Sequence, residues 1–96
     1  MSKEIVATRF DAVGSAFVVA RKPAQKRKTH VDHFSLEDMQ KWVGGYVQIL
    51  QAGDGRAFVL CDEDGQPKGL PLNRHASMVA GRPIVGPAVV VSIADD

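Results

Sequence analysis

Several residue types and patterns are scarce or missing in this 96-residue chain, and each absence excludes a kind of protein. Cys61 is the only cysteine, so no disulfide can form within the chain, which is typical of a reducing compartment. No apolar run reaches 18 residues, so we predict no transmembrane helix and expect a cytoplasmic location. Glycine-rich phosphate loops and Ser-His-Asp arrangements are missing as well. The sequence therefore predicts a protein that is not an enzyme and needs no cofactor.

The composition is that of one small globular domain. Apolar residues make up 45% and charged residues 24%, which is the ordinary range. The 12 basic and 11 acidic residues nearly cancel, so net charge alone attracts neither nucleic acid nor membrane. The basic residues are nevertheless concentrated in residues 21–29, which we interpret as a flexible loop. We predict a single domain over residues 1–96, with its core in about 16–93.

The pattern of β-forming residues, turns and short amphipathic stretches favours an α+β fold. We expect a small, mostly antiparallel sheet of four to five strands with one or two short helices. Ser35 as an N-cap and Gly44 after the last turn predict a helix at 36–43. Asn73 and Gly81 predict the ends of a second helix at 74–80. The predicted strands are residues 4–10, 16–20, 46–51, 57–61 and 84–93.

Two strands are apolar at successive positions, around Phe17–Val19 and Ala88–Val91, so both of their faces call for burial. Two short helices are too few to cover both faces of such a sheet. We therefore expect a second copy of the chain to cover the remainder, which predicts a homo-oligomer. A sheet that curls and closes on itself is the alternative.

A segment stiffened by prolines leads into Asn73 and Arg74. If Asn73 caps a helix, the first-turn amides and the Arg74 guanidinium would point the same way and form an anion site. In the alternative interpretation Asn73 only caps, Arg74 pairs with an acidic turn, and the tryptophan lies in the core. Further donors and a stacking ring for a nucleotide are expected from Lys68, Arg82, Tyr46 and Trp42.

The basic loop suggests a different partner. It has no interleaved aromatic residues, so it could contact phosphates of nucleic acid but offers no base stacking; a solvated loop is the alternative. His30 and His33 flank Asp32 at a spacing that suits a metal poorly, so no metal site is predicted. The candidate phosphate contacts are Arg21, Lys22, Lys26, Arg27 and Lys28.

Four motifs occur in a fixed order: LEDMQKWVGGY at 36–46, DEDG at 62–65, LPLNR at 70–74 and IVG at 84–86. Together they resemble a family of small proteins that are common in bacteriophages and mobile elements and catalogued as a domain of unknown function. The resemblance implies a phage or mobile-element origin. Small accessory proteins of that origin often counter host immunity, and some are oligomeric sponges that bind nucleotide signals without cleaving them.

One functional expectation and two alternatives follow. We expect a non-enzymatic, homo-oligomeric accessory protein that sequesters a small anionic ligand, such as a nucleotide immune signal, in the host cytoplasm. The first alternative is a module that binds and inhibits a host protein. The second is an accessory protein that binds nucleic acid through the basic loop. None of the three involves a membrane.

Overall fold

The computed structural model describes residues 3–95, which form one five-stranded sheet and two α-helices. The sheet has the order β2-β1-β5-β4-β3, and every neighbouring pair is antiparallel. The predicted small antiparallel sheet with two short helices is confirmed, and it is consistent with the α+β class. The elements are β1 (Lys3–Phe10), β2 (Ala16–Pro23), α1 (Leu36–Val43), β3 (Val47–Ala52), β4 (Ala57–Asp62), α2 (Arg74–Ala80) and β5 (Ala88–Asp95), with 3-10 turns at Val31–His33 and Gly53–Gly55.

Both helices begin and end where local chemistry predicts. The Ser35 side chain accepts a hydrogen bond from the backbone amide of Asp38, and Gly44 ends α1 in the left-handed conformation. Asn73 caps α2 in the same way, and Gly81 ends it with φ of 72°. The predicted bounds of both helices are therefore confirmed. Within residues 3–95, neither helix has the length and apolar character that crossing a bilayer requires.

The two helices cover opposite faces of the sheet. Residues on one face, including Leu60, Val89 and Val91, form a core with α1, whereas Val59 and Ala88 pack with α2 on the other face. Successive strand residues point to opposite faces, so one helix on each side buries the central strands. The premise that two short helices are too few is therefore wrong for the central strands.

The edge strand β2 differs from the centre. Phe17 is 48% exposed and Val18 is 47% exposed in this strand, which has a neighbouring strand on one side only. The predicted burial of both faces of this strand is not found within one chain. Self-association remains a prediction.

The loop in the basic segment is shorter than the sequence indicates. Residues 21–23 continue β2 and pair with β1, and the last pair joins Pro23 to Glu4. Residues 24–29 lie outside any strand. Proline is tolerated here because an edge strand leaves one side of its backbone unpaired. The predicted loop at 21–29 is therefore corrected to residues 24–29.

One further boundary and the exposure of one helix residue differ from the sequence interpretation. The last strand begins at Ala88 rather than at residue 84, since Gly86 has φ of 78° and interrupts the extended backbone. Val85 instead forms an isolated bridge with Leu72. In α1, Leu36 is 58% exposed although its spacing places it on the apolar face.

Candidate functional site

The residues predicted to form an anion site lie in separate places. Tyr46 and Lys68 line one open depression, whereas Arg82 lines a different hollow. Arg74 is exposed in the first turn of α2 and lines neither of them. The other two candidates, the asparagine that caps α2 and the tryptophan of α1, have structural contacts. Within the described residues of one chain, these side chains therefore do not line a common pocket, and the predicted anion site stays a prediction.

Asn73 is fully buried and all of its side-chain hydrogen-bonding groups are used within the chain. Its Oδ1 accepts from the amide of Ala76 at 3.1 Å, and its Nδ2 donates to the carbonyls of Phe10 at 2.8 Å and Gly86 at 2.9 Å. An amide group has two hydrogens to donate, and both are taken. Asn73 therefore caps α2 as predicted but has no donor left for a ligand.

Trp42 packs against the core. Its ring meets Phe34 edge-on, with centroids 5.3 Å apart, and its backbone carbonyl accepts a hydrogen bond from Arg9 Nε at 2.9 Å. Such an edge-to-face pair is the arrangement that aromatic rings prefer in protein interiors. The structural interpretation of Trp42 agrees with this geometry better than a stacking role.

The depression beside the end of α1 has a volume of about 490 Å³ and carries balanced charge. Lys41 lies 3.7 Å from Glu37, and Lys68 lies 2.6 Å from Asp62. Because each lysine already has a carboxylate partner, the depression offers an anion little net attraction. Its lining residues are Glu37, Gln40, Lys41, Gly45, Tyr46, Asp64 and Lys68.

The pair of Asp62 and Lys68 is the best-defined ion pair of this region. The Asp62 side chain is 2% exposed, and its Oδ1 also accepts from the backbone amide of Asp64 at 2.9 Å. Burial by itself would raise the pKa of Asp62, but the hydrogen bonds from Lys68 and Asp64 and the charge of Lys68 outweigh it and lower that pKa. A Cβ atom on Gly45 would lie 2.8 Å from Lys68 Nζ and 2.9 Å from the Asp62 carboxylate oxygens, so a larger residue there would displace the pair.

We expect this pair to make the protein sensitive to acid. A carboxyl group with a lowered pKa in the folded state stabilises the fold above its unfolded pKa of about 3.9, and this contribution is lost as pH falls through the folded pKa. Asp62→Asn should therefore lower the free energy of unfolding by about 2 kcal/mol at neutral pH and by much less near pH 3. Urea unfolding at several pH values measures the difference. Glu63→Gln, at the exposed neighbouring position, serves as the control. An Asp62→Asn effect that does not change with pH would contradict the expectation.

The hollow that contains Arg82 holds a poorly reactive thiol. Cys61 is buried, with its Sγ 3.9 Å from the Gln48 side-chain oxygen. Burial raises the pKa of the Cys61 thiol, Arg82 partly opposes this, and Asp62 adds to it. The thiolate that a nucleophile requires is therefore disfavoured. The hollow has a volume of about 270 Å³, and Glu63 also lines it.

A third recess lies on the α1 side of the sheet, between residues 24–33 and the paired β1 and β5. Its volume is about 520 Å³. Among the side chains that the structure describes, no carboxylate lines it, so its three ammonium groups make it positive. We call it the lysine cleft; its lining residues are Lys3, Ile5, Ala24, Gln25, Lys26, Lys28, His30, His33 and Ile93.

Backbone and histidine contacts hold the loop over this cleft. The amide of Ala24 donates to the carbonyl of Lys3, which extends the pairing of β2 with β1. His33 is 5% exposed, its Nε2 accepts from the amide of Gln25 at 3.0 Å, and its Nδ1 lies 2.7 Å from the carbonyl of Thr29. A neutral ring with its hydrogen on Nδ1 satisfies both contacts. His33 therefore connects the two ends of the loop.

His30 lines the same cleft and has an unsatisfied nitrogen. Its Nε2 is buried and, among the residues that the structure describes, is the only buried side-chain polar atom without a hydrogen-bond partner. The ring packs at a tilt on Phe58, with centroids 5.1 Å apart. Burial and the nearby His33 lower the pKa of His30. A histidine that lines a positive cleft and has a ring nitrogen without a partner is a candidate recognition group.

Sequence analysis found this site only in part. Lys26 and Lys28 were predicted as nucleic-acid contacts, whereas Lys3 was not considered. His30 was weighed only as a metal ligand, and within residues 3–95 no group of three or more His, Cys, Asp or Glu side chains is placed to hold a metal. The usable signal in the sequence is local, since His30 and His33 lie within five residues of the end of the basic run.

The other basic residues of the run lie elsewhere. Arg21 is 3.7 Å from Glu4 on β1, and the Lys22 ammonium lies 5.6 Å from the centre of the Phe34 ring. Arg27 is exposed and does not line the cleft. The run therefore divides its charges between the edge strand, the cleft and solvent.

Comparison with known proteins places the chain in a family. A family model described as a domain of unknown function (DUF3846) matches residues 10–96. The chain belongs to the DUF3846 family. The resemblance to a family catalogued as a domain of unknown function is confirmed. Lys26, Lys28 and His30 lie within the DUF3846 match, whereas Lys3 and Ile5 precede it. No curated protein and no solved structure matches the chain.

Proposed function

We propose that this protein binds and sequesters a small anionic ligand without altering it, and that the ligand occupies the lysine cleft. The observation that carries the proposal is a positive recess lined by His30, whose buried Nε2 has no hydrogen-bond partner among the described residues. Its volume lies within the range of about 300–1,000 Å³ in which small-molecule sites occur. Its described lining residues all belong to one chain, so the proposal does not depend on self-association.

Nucleotides are the ligand class that the lining favours. The side chain of Ile93, which is 46% exposed, and that of the half-buried Ala24 offer an apolar surface for a flat ring, and the ammonium groups of Lys26 and Lys28 suit phosphate oxygens. A ligand with both parts meets both kinds of surface. The family resemblance adds a biological setting, in which an accessory protein of a phage or mobile element captures a nucleotide immune signal in the host cytoplasm.

Isothermal calorimetry tests the proposal. The panel contains AMP, cyclic AMP, ATP and a cyclic dinucleotide, with adenosine as the uncharged comparison. We expect at least one nucleotide to bind more tightly than adenosine. The double variant Lys26→Glu with Lys28→Glu should weaken that binding by about 30-fold or more, since it removes two charge-assisted contacts and adds repulsion.

The control carries the same change of net charge away from the cleft. Arg74→Glu combined with Arg82→Glu alters two cations of the site first predicted from sequence, and it should leave nucleotide affinity within about twofold. Equal losses in both double variants would indicate a general charge effect. Absence of heat for every nucleotide with the unaltered protein would contradict the proposal.

Nucleic acid remains the second candidate, because Arg27 is exposed between the two cleft lysines in the chain. A polymer would contact Arg27 together with its neighbours and bind with a steep dependence on salt. Binding of a mononucleotide confined to the cleft would depend on salt much more weakly. Inhibition of a host protein stays an expectation of the sequence analysis.

A further inference from the structure

His30 is the only histidine of the cleft whose ring is free to change its protonation state without breaking an internal contact at Nε2. The Nε2 of His33 accepts a hydrogen bond from Gln25, and a proton there would displace that amide. The Nε2 of His30 has no such partner.

Several cationic and apolar groups lie around His30 in the free protein. Lys3 on β1, Lys26 and Lys28 in the loop, and His33 in the 3-10 turn line the same cleft. The remaining strands contribute the apolar side chains of Phe58 and Ile93. Burial and His33 accordingly lower the pKa of His30, so the neutral ring predominates near neutral pH.

We propose that an anion bound in the lysine cleft favours the uptake of a proton from solvent by His30, so that ligand binding and protonation of this imidazole are coupled. The inference rests on the proposed function of the cleft. An anion beside the ring reverses the sign of the local potential, and the new N–H on Nε2 donates to the anion. His30 thereby supplies the recognition contact deep in the site, while Lys26 and Lys28 supply charge from the loop.

Linkage fixes the direction of the pH effect. Because the anion raises the pKa of His30, the complex holds more protons than the free protein. Affinity therefore rises as pH falls through the His30 pKa of the complex, and it levels off below the His30 pKa of the free protein. A neutral analogue such as adenosine gains nothing from this step, so the coupling also favours anions over uncharged ligands.

Nuclear magnetic resonance tests the coupling directly. The ring protons of the three histidines are titrated over about pH 5 to 8, with and without saturating cyclic AMP, and with AMP if cyclic AMP does not bind. Cyclic AMP is preferred because its phosphodiester has no second ionisation near pH 6. We expect the His30 midpoint to move upward on binding, and affinity to be several-fold higher near pH 5 than near pH 8.

Two variants separate the outcomes. His30→Gln keeps a hydrogen-bonding side chain but cannot titrate, so it should bind with an affinity that is nearly independent of pH. His75→Gln is the control, because His75 lies on α2, stacks on Phe10 and does not line the cleft, so the pH dependence should persist. Binding without a shift of the His30 midpoint would overturn the inference and leave the proposed function standing. Absence of binding by every nucleotide would overturn both.

Discussion

Replacing Asn73 by alanine is expected to lower the free energy of unfolding by about 3–5 kcal/mol, a large share of the about 5–15 kcal/mol typical of a small domain. The substitution removes the cap of α2 and leaves the Ala76 amide without its partner. It also removes the donors to the carbonyls of Phe10 and Gly86, at the end of β1 and before β5. Each buried group that loses its partner carries a desolvation cost.

The matched variant is Asn73→Ser, because serine retains a capping oxygen but has no amide hydrogens for the two carbonyls. The difference between the serine and alanine variants isolates the cap, at about 1 kcal/mol, and the larger remainder reports the bridge to Phe10 and Gly86. Urea unfolding followed by circular dichroism measures both. If Asn73→Ser were as stable as the unaltered protein, the bridge would contribute nothing and the expectation would be wrong.

Gly86 is the second position where one substitution is expected to have a large effect, with Gly86→Ala lowering the free energy of unfolding by about 2–4 kcal/mol. Its φ of 78° lies in the left-handed region, which costs a residue with a Cβ atom about 1 kcal/mol or more. A Cβ atom there would also lie 2.6 Å from Leu70 Cδ1 and 3.4 Å from Leu70 Cβ. The side chain of Leu70 must therefore shift.

Gly81 provides the control, since its φ is 72° and no atom lies within 4 Å of the position a Cβ would take. Gly81→Ala should thus show the backbone cost alone, and the excess at Gly86 reports the overlap with Leu70. In a background that already carries Leu70→Ala, adding Gly86→Ala should cost about as much as Gly81→Ala does. Equal losses for Gly86→Ala and Gly81→Ala in the unaltered background would show that the contact with Leu70 is of no consequence.

The lysine cleft shows why the candidate site was predicted only in part. Lys26, Lys28 and His30 are close in sequence, so a basic run with a following histidine was visible before folding. Lys3 and Ile93 lie at opposite ends of the chain and meet only because β1 pairs with β5, which places Ile5 opposite Ile93. The complete cleft therefore depends on the pairing of β1 with β5, which no local sequence pattern specifies.

The residues first predicted to bind an anion illustrate the opposite case. Asn73 and Arg74 are adjacent in sequence and suggest one site, but the fold buries Asn73 and leaves Arg74 exposed. Sequence spacing showed that Asn73 caps a helix. Asn73 is buried because its side-chain amide donates one hydrogen bond to a carbonyl of β1 and one to a carbonyl in the segment before β5, and the sequence spacing does not show these contacts.

The amino-acid sequence by itself determined the local structure: where α1 and α2 begin and end, and the approximate positions of the five strands. These features depend on contacts within a few residues, such as Ser35 with Asp38 or Gly44 in its left-handed conformation. The tertiary structure alone decided the strand order, the helix on each face and the cleft beneath residues 24–29. Strand order is set by burial and by hydrogen bonds between residues distant in the chain, and no local propensity encodes which distant strands pair.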